Sequence, residues 1–399
     1  MRDLLDKLRP IGDQLASLGH GATPFDTTIE DTPTPCEATI DGRPVLMCGS
    51  NNYFGLSHHP DVIAAAAAAL HAYGSGTTGS RAANGTLALH GRLEREFAEC
   101  YGKRHALVFT TGYQANLALI AGLCGSGDTV LVDFESHASI YDGARLSGAQ
   151  VFGFRHNSAD DLSRKLSRLA EPRRSLVVVE GLYSITGDLA PLGELAAACR
   201  DAGAYLMVDE AHAFGAYGDR GLGAAEAQGV LAGVDFIVGT FSKTLAGVGG
   251  FSVSDHLALR LLHFTARSYV FTASGSPANI AGVTAALAIV RRDRTLAARL
   301  WSNVRHMRAG LARMGYRIGA NESPIVPIHI GAADRTIEFW RALLDAGLYV
   351  NIVLPPGCKP DACLLRTSYS AAHTTAQLDR ALAIFESVGR ELSIIKAAA

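Results

Sequence analysis

The sequence lacks the usual marks of a metal, membrane or nucleic-acid protein. Its seven cysteines, at positions 36, 48, 100, 124, 199, 358 and 363, form no C-x-x-C pair and no metal-ligand spacing. They read as small buried residues in a reducing compartment. A surplus of one charge is missing as well. The 36 Lys and Arg balance 38 Asp and Glu, and a net charge of −2 with scattered basic residues leaves no footprint for nucleic acid. The longest apolar run, "VIAAAAAALHAYG", is too short to cross a bilayer and is mostly alanine, so it reads as a helix of a soluble protein. "MRDLLDKLRPIGDQL" alternates charged and apolar residues instead of forming the continuous core of a signal peptide. The expected location is cytoplasmic, with at most peripheral membrane contact. Internal repeats and low-complexity linkers are absent.

What is present points to an α/β enzyme. The chain has 399 residues, 48% of them hydrophobic, with 42 glycines, which suits more than one domain. Residues 1–57 read as an amphipathic arm, a loop and two short strands around the Asp41–Gly42 turn of "CEATIDGRPVLMCG". From 58 to 284, short β-branched runs ("HALVFTTG", "DTVLVDF", "SLVVVEG", "AYLMVDEAH", "VDFIVGT") alternate with helical stretches. Continuous apolar strands separated by helices predict a mainly parallel sheet covered on both faces, with ligands at the carboxyl ends of its strands. One long helical stretch, "PANIAGVTAALAIVRRDRTLAARLWSNVRHMRAGLARMG", leads into a smaller α/β domain spanning 285–399.

Five stretches carry chemistry. In "GTFSKTLAGVGG", Lys243 stands among small and apolar neighbours with no carboxylate. Desolvation favours the neutral amine, a nucleophile toward carbonyls, and Thr240, Ser242 and nearby glycines suit a phosphate-bearing aldehyde. A lysine on a surface loop is the bland alternative. In "AYLMVDEAHAFG", Asp209 ends a strand and can keep a pyridinium nitrogen protonated, while His212 can reach the ring oxygen; alone, they read as a helix cap and a core histidine. In "FTTGYQANLALIAGL", Gly112 and Tyr113 open a helix whose free N–H groups suit a phosphate. His137 of "VDFESHASIYDG" can stack on a planar cofactor or be an ordinary loop histidine. Arg366 of "CLLRTSYSAAHT" can bind a carboxylate or form a structural ion pair. Taken together, the set matches pyridoxal 5′-phosphate, with Lys243 tied up as an imine.

These motifs, with "SNNYFGLSHHP", "YGSGTTGSRAANGT", "GTFSKTLAGVGGF" and "YVFTAS", resemble the α-oxoamine synthases over almost the whole chain. The resemblance implies pyridoxal-phosphate fold type I: a large domain with a mainly parallel seven-stranded sheet and a smaller C-terminal α/β domain. It also implies a decarboxylating condensation of an amino acid with an acyl thioester. "GSGTTGSRAANGT", "EGLYSITGDLAPL" and "WRALLDAGLYVN" are closer to the bacterial members that use L-serine and a long-chain acyl-CoA than to the glycine-using members. The roles it implies are Lys243 as Schiff-base lysine, Asp209 at the pyridinium nitrogen, His212 at the ring oxygen and His137 on the ring face. Gly112, Tyr113, Ser184, Thr240 and Ser242 would bind the cofactor. Thr272 and Ala273 would reach the phosphate of a neighbouring subunit, so a homodimer is implied, and Asn52 and Arg366 would handle the substrate carboxylate. One departure stands out. Where the serine-using members resemble "RPPATP", this chain reads "LPPGCKP", so Leu354 occupies an arginine position, with Lys359 the nearest substitute. The acyl donor, coenzyme A or carrier protein, stays open. So does a glycine- or alanine-using member of the 8-amino-7-oxononanoate synthase or 2-amino-3-ketobutyrate ligase type.

Overall fold

A computed structural model describes residues 3–18 and 26–396 and divides them between two compact units. The described residues within 1–50, 303–369 and 373–399 form one unit; those within 51–302 and 370–372 form the other. This differs from the division at 57/58 and 284/285 for a physical reason. Strands β1 (Ile29–Thr34), β2 (Glu37–Ile40) and β3 (Arg43–Met47) form an antiparallel ribbon, and β3 also pairs in parallel with Leu348–Tyr349 near the other end of the chain. The β2–β3 hairpin turns at Asp41 and Gly42, both with positive φ (51° and 68°), the geometry that Asp-Gly turns adopt. The expected arm is a helix over Arg9–Leu18, and the loop expected after it, 19–25, lies outside the described residues.

The larger unit holds the seven-stranded sheet. Its strands are β4 (His105–Phe109), β5 (Thr129–Asp133), β6 (Gln150–Phe154), β7 (Ser175–Glu180), β8 (Tyr205–Asp209), β9 (Phe236–Thr240) and β10 (Gly250–Ser254). Their order is β4-β10-β9-β8-β7-β5-β6, and β10 runs antiparallel to both its neighbours. Five of the seven follow the apolar runs of the sequence. The other two do not announce themselves. β6 is an edge strand with three exposed residues, and β10, "GFSVS", carries serines whose hydroxyls donate to Ile237 O and Asp235 O. All six residues of β7 are buried, as are those of β5 and β9. Leu119, Ile120, Val130, Val132, Val178 and Met207 form the core between this sheet and its helices. Each such side chain contributes roughly 1.5–3 kcal/mol on burial.

The long helical stretch is two helices, Pro277–Arg292 and Thr295–Arg313. Asp293 breaks it: its carboxylate accepts from Thr295 N at 2.9 Å and Thr295 Oγ1 at 2.5 Å, starting a new helix. In the smaller unit, β11 (Ile325–Gly331), β12 (Leu348–Tyr349), β13 (Asn351–Val353) and β14 (Cys363–Ser368) complete the strands, with β14 central in a three-stranded sheet. All seven cysteines are free. Among the described residues, no helix is long and apolar enough to cross a membrane.

Candidate active site

Parallel strands bring their carboxyl ends to one edge of the sheet, and here those ends are polar: Asp133 on β5, Glu180 on β7, Asp209 on β8 and Thr240 on β9. Glu180 and Asp209 are direct register partners and both are buried. Asp209 Oδ2 accepts from Asn116 Nδ2 at 2.8 Å and Oδ1 from Ala211 N at 2.9 Å. Burial, followed by the charge of Asp209, pushes the Glu180 carboxyl well above the usual range, against the opposing pull of the His137 N–H and Lys243. Buried negative charge of this kind calls for a cation, and a protonated ring nitrogen placed beside Asp209 would supply one. The donor set therefore fits pyridoxal phosphate.

The chain passes from β9 into the Lys243 loop, closed by Phe241 N to Gly249 O at 2.9 Å, Gly247 N to Phe241 O at 2.9 Å and Ala246 N to Lys243 O at 3.0 Å. These bonds hold Lys243 half-buried, near enough for its charge to act on both His137 and Glu180. Thr240 Oγ1 lies 2.9 Å from Ser242 Oγ and donates to Gly249 O at 3.0 Å. The helix Gly112–Leu123 starts against this loop, with Thr111 Oγ1 accepting from Gln114 N at 3.0 Å as its cap. Its first N–H groups have no intrahelical carbonyl to meet. A Cβ at Gly112 would stand 2.9 Å from Thr240 Cβ and Oγ1, and one at Gly250 would stand 2.8 Å from Gly112 Cα. Only glycines let these three segments close on one another. The result is a helix start of the sort that holds phosphate.

His137 caps the helix Ala138–Ser147 and is exposed at the mouth of this edge. Its N–H donates to Glu180 Oε1 at 2.5 Å, and its Nδ1 accepts from Ser139 N at 3.2 Å. The Tyr113 ring stands edge-on to the imidazole at 6.2 Å, and its hydroxyl donates to Asp142. Desolvation lowers the His137 pKa; the Asp209 charge opposes this and the Lys243 charge adds to it. His212 is buried, with Nδ1 2.7 Å from the hydroxyl of the fully buried Tyr53.

The remaining expected residues are less concentrated. Ser184 is half-buried in the loop after β7. Thr272 Oγ1 accepts from Gln114 Nε2 at 3.1 Å and Ala273 O accepts from Thr110 Oγ1 at 2.9 Å, so both lie beside this chain's own helix start. Asn52 Nδ2 donates to Ser57 Oγ at 2.7 Å. Arg366 belongs to the other unit, buried on β14 between register partners Pro327 and Asn351. Leu354 is half-buried and Lys359 exposed in the loop after β13.

Four residues of this edge were not singled out from the sequence: Tyr53, Asn116, Ser139 and Glu180. Tyr53 and Asn116 sit inside quoted motifs, but their partners are far along the chain. Glu180 ends an otherwise apolar strand, "SLVVVE", and that single polar terminus was its only signal.

Comparison with known proteins agrees with this arrangement. Residues 43–385 match the aminotransferase class I and II family. Serine palmitoyltransferase of Caulobacter vibrioides is 47% identical over 377 residues, 94% of this chain and 93% of that protein. The enzyme of the same name from Sphingomonas paucimobilis is 43% identical over 398 residues, 99% of this chain and 95% of that one. A high-resolution structure of SPT with the PLP internal aldimine superposes with a TM-score of 0.96 at 43% identity, covering 99% of this chain and 100% of that one. The chain belongs to the aminotransferase class I and II family and, within it, is similar to bacterial serine palmitoyltransferases over nearly its whole length.

Proposed function

We propose that the protein condenses L-serine with a long-chain acyl-CoA, palmitoyl-CoA in the simplest case, to give 3-ketodihydrosphingosine, coenzyme A and CO2, using pyridoxal 5′-phosphate. The observation that carries this reading is the likeness to serine palmitoyltransferases at 43–47% identity across both units. The edge of buried carboxylates facing a half-buried lysine supports it. When bound, the cofactor supplies an electron sink for the negative charge that develops at the Cα of serine.

The residues divide the work. Lys243 would hold the cofactor's aldehyde carbon, and its amine, when free, would take the Cα proton of serine and return one there. Asp209, fixed by Asn116 and Ala211, keeps the ring nitrogen protonated. His212, oriented by Tyr53, donates to the ring oxygen. The helix start at Gly112 and Tyr113, with Thr240 and Ser242, holds the phosphate. His137 covers the ring face and offers Nε2 to the serine carboxylate, while Asn52 and Arg366 remain the proposed carboxylate ligands on the family resemblance. Acyl transfer breaks the thioester C–S bond as the new C–C bond forms, and loss of CO2 then breaks the bond between Cα and the carboxylate. A homodimer in the cytoplasm, with Thr272 and Ala273 serving the partner's phosphate, completes the proposal.

The test is a product assay. Cofactor-loaded protein is incubated with L-serine, glycine or L-alanine and a ladder of acyl-CoAs, and the products are identified by mass. Serine with C16 acyl-CoA is expected to be preferred; equal or better turnover of glycine would replace this reading with the 8-amino-7-oxononanoate synthase type.

A further inference from the structure

Between Asp209 and His137 lies a continuous path of hydrogen bonds through two residues that touch neither cofactor nor substrate in the roles above. Asn116 Nδ2 is 2.8 Å from Asp209 Oδ2 and 2.9 Å from Ser139 Oγ; Ser139 Oγ is 2.8 Å from His137 Nδ1. Asn116 is 2% exposed and Ser139 fully buried, so water does not substitute for these contacts.

The direction of every bond in the path follows from donor inventory. A carboxylate only accepts, so the atom of Asn116 facing Asp209 is the amide nitrogen; the reverse amide orientation would set oxygen against oxygen. That nitrogen has two hydrogens, one for Asp209 and one for Ser139 Oγ. The side-chain oxygen Oδ1 is left buried without a hydrogen-bond partner among the described residues, which shows that the amide is oriented by its two donor bonds. At His137, the backbone N–H of Ser139 points at Nδ1 from 3.2 Å. An N–H cannot meet an N–H, so Nδ1 is bare, and the Ser139 hydroxyl turns its hydrogen to the same nitrogen.

We propose that Asn116 and Ser139 are positioning residues that tie the Asp209 carboxylate to the His137 imidazole in one directional chain, holding His137 with Nδ1 as acceptor and its proton on Nε2. The proposal rests on the functional reading above for its consequence: Nε2–H is then a standing donor toward the amino-acid carboxylate, and Asp209 and His137, which address the nitrogen and the face of the same ring, are set by a shared strut. The charged and titratable groups around His137 are Glu180 from β7, Asp209 from β8, Lys243 from the β9 loop and Tyr113 from the Gly112–Leu123 helix.

The experiment is nitrogen NMR of histidine-labelled protein, with and without cofactor, His137 being assigned by a His137→Gln spectrum. The expected result in the wild type is an acceptor-type Nδ1 and a protonated Nε2 at neutral pH. Ser139→Ala removes a donor that favours the neutral ring, so the His137 titration should rise by about half to one pH unit. The KM for serine should rise about 3- to 10-fold with a smaller change in kcat, and Ser139→Thr should restore most of both. Asn116→Ala should shift the visible absorbance of the cofactor-loaded protein, because Asp209 loses a donor. A protonated Nδ1 in the wild type, or a Ser139→Ala protein whose titration and KM are unchanged, overturns the proposal. The functional reading fails separately: wild type without serine condensation would remove that reading, while the tautomer of the cofactor-free chain still decides the strut.

Discussion

The hydroxyl of Tyr53 stands 2.7 Å from Nδ1 of His212, joining a loop near residue 50 to the turn after β8. Both side chains are buried, so the bond is shielded from water and sets the direction of the imidazole. Tyr53→Phe keeps the ring and removes the partner. It should lower kcat about 3- to 10-fold, the effect of one lost hydrogen bond of about 1 kcal/mol. Steady-state kinetics with serine and palmitoyl-CoA check this; an unchanged kcat would mean that His212 is oriented by other contacts.

Lys243→Ala should reduce turnover by at least about 10³-fold, since the proposed covalent anchor and base both disappear. The variant should still take up pyridoxal phosphate, released again on dialysis. Borohydride treatment followed by mass spectrometry should add the cofactor's mass to the wild type only.

For Asp209, the conservative change to Asn retains shape and loses charge. The expected outcome is weaker cofactor retention and a drop in kcat of about 10²-fold or more, because the ring nitrogen is no longer held protonated. Absorbance titration with the cofactor, alongside activity at saturating cofactor, separates the two effects.

Gly112→Ala would push a methyl group to 2.9 Å from Thr240. The helix start and the Lys243 loop must then part by a few tenths of an ångström, at a cost of about 1–3 kcal/mol. Cofactor affinity should fall about tenfold while the secondary structure stays intact, measured by cofactor titration and circular dichroism.

His156 tests electrostatics away from the chemistry. Burial alone would lower its pKa, but the carboxylates of Asp133 at 2.9 Å and Asp188 at 3.6 Å outweigh this and raise it to about 9. An unfolded histidine titrates near 6.5. The protonated form is thus favoured by folding: its contribution is complete below about pH 6.5 and is lost as pH rises through about 9. Urea unfolding of the wild type should show a decline of about 2 kcal/mol over that window, and His156→Gln should flatten it.

Local pattern carried much of this protein. "SLVVVEG" and "AYLMVDEAH" are apolar enough that only a strand buried on both faces suits them, and both are such strands. Asp41–Gly42 announced its hairpin by turn chemistry alone. β10 escaped because its alternating serines look half-exposed, whereas their hydroxyls are satisfied inside the sheet by backbone carbonyls of the neighbouring strand. The break at Asp293 escaped because an aspartate is tolerated in a helix until its side chain caps the next one.

By itself the sequence determined the strand-helix alternation, the lysine in its apolar setting and the residue types proposed to meet a phosphate and a ring, since each depends on neighbours within a few positions. The tertiary structure alone decided that the N-terminal hairpin shares a unit with the C-terminal segments, that Glu180 lies beside Asp209, and that Asn116 and Ser139 bridge Asp209 to His137. Strand pairing and buried polar contacts join residues tens to hundreds of positions apart. No local periodicity encodes such a meeting; it is selected when the folded chain must satisfy every buried donor and charge at once.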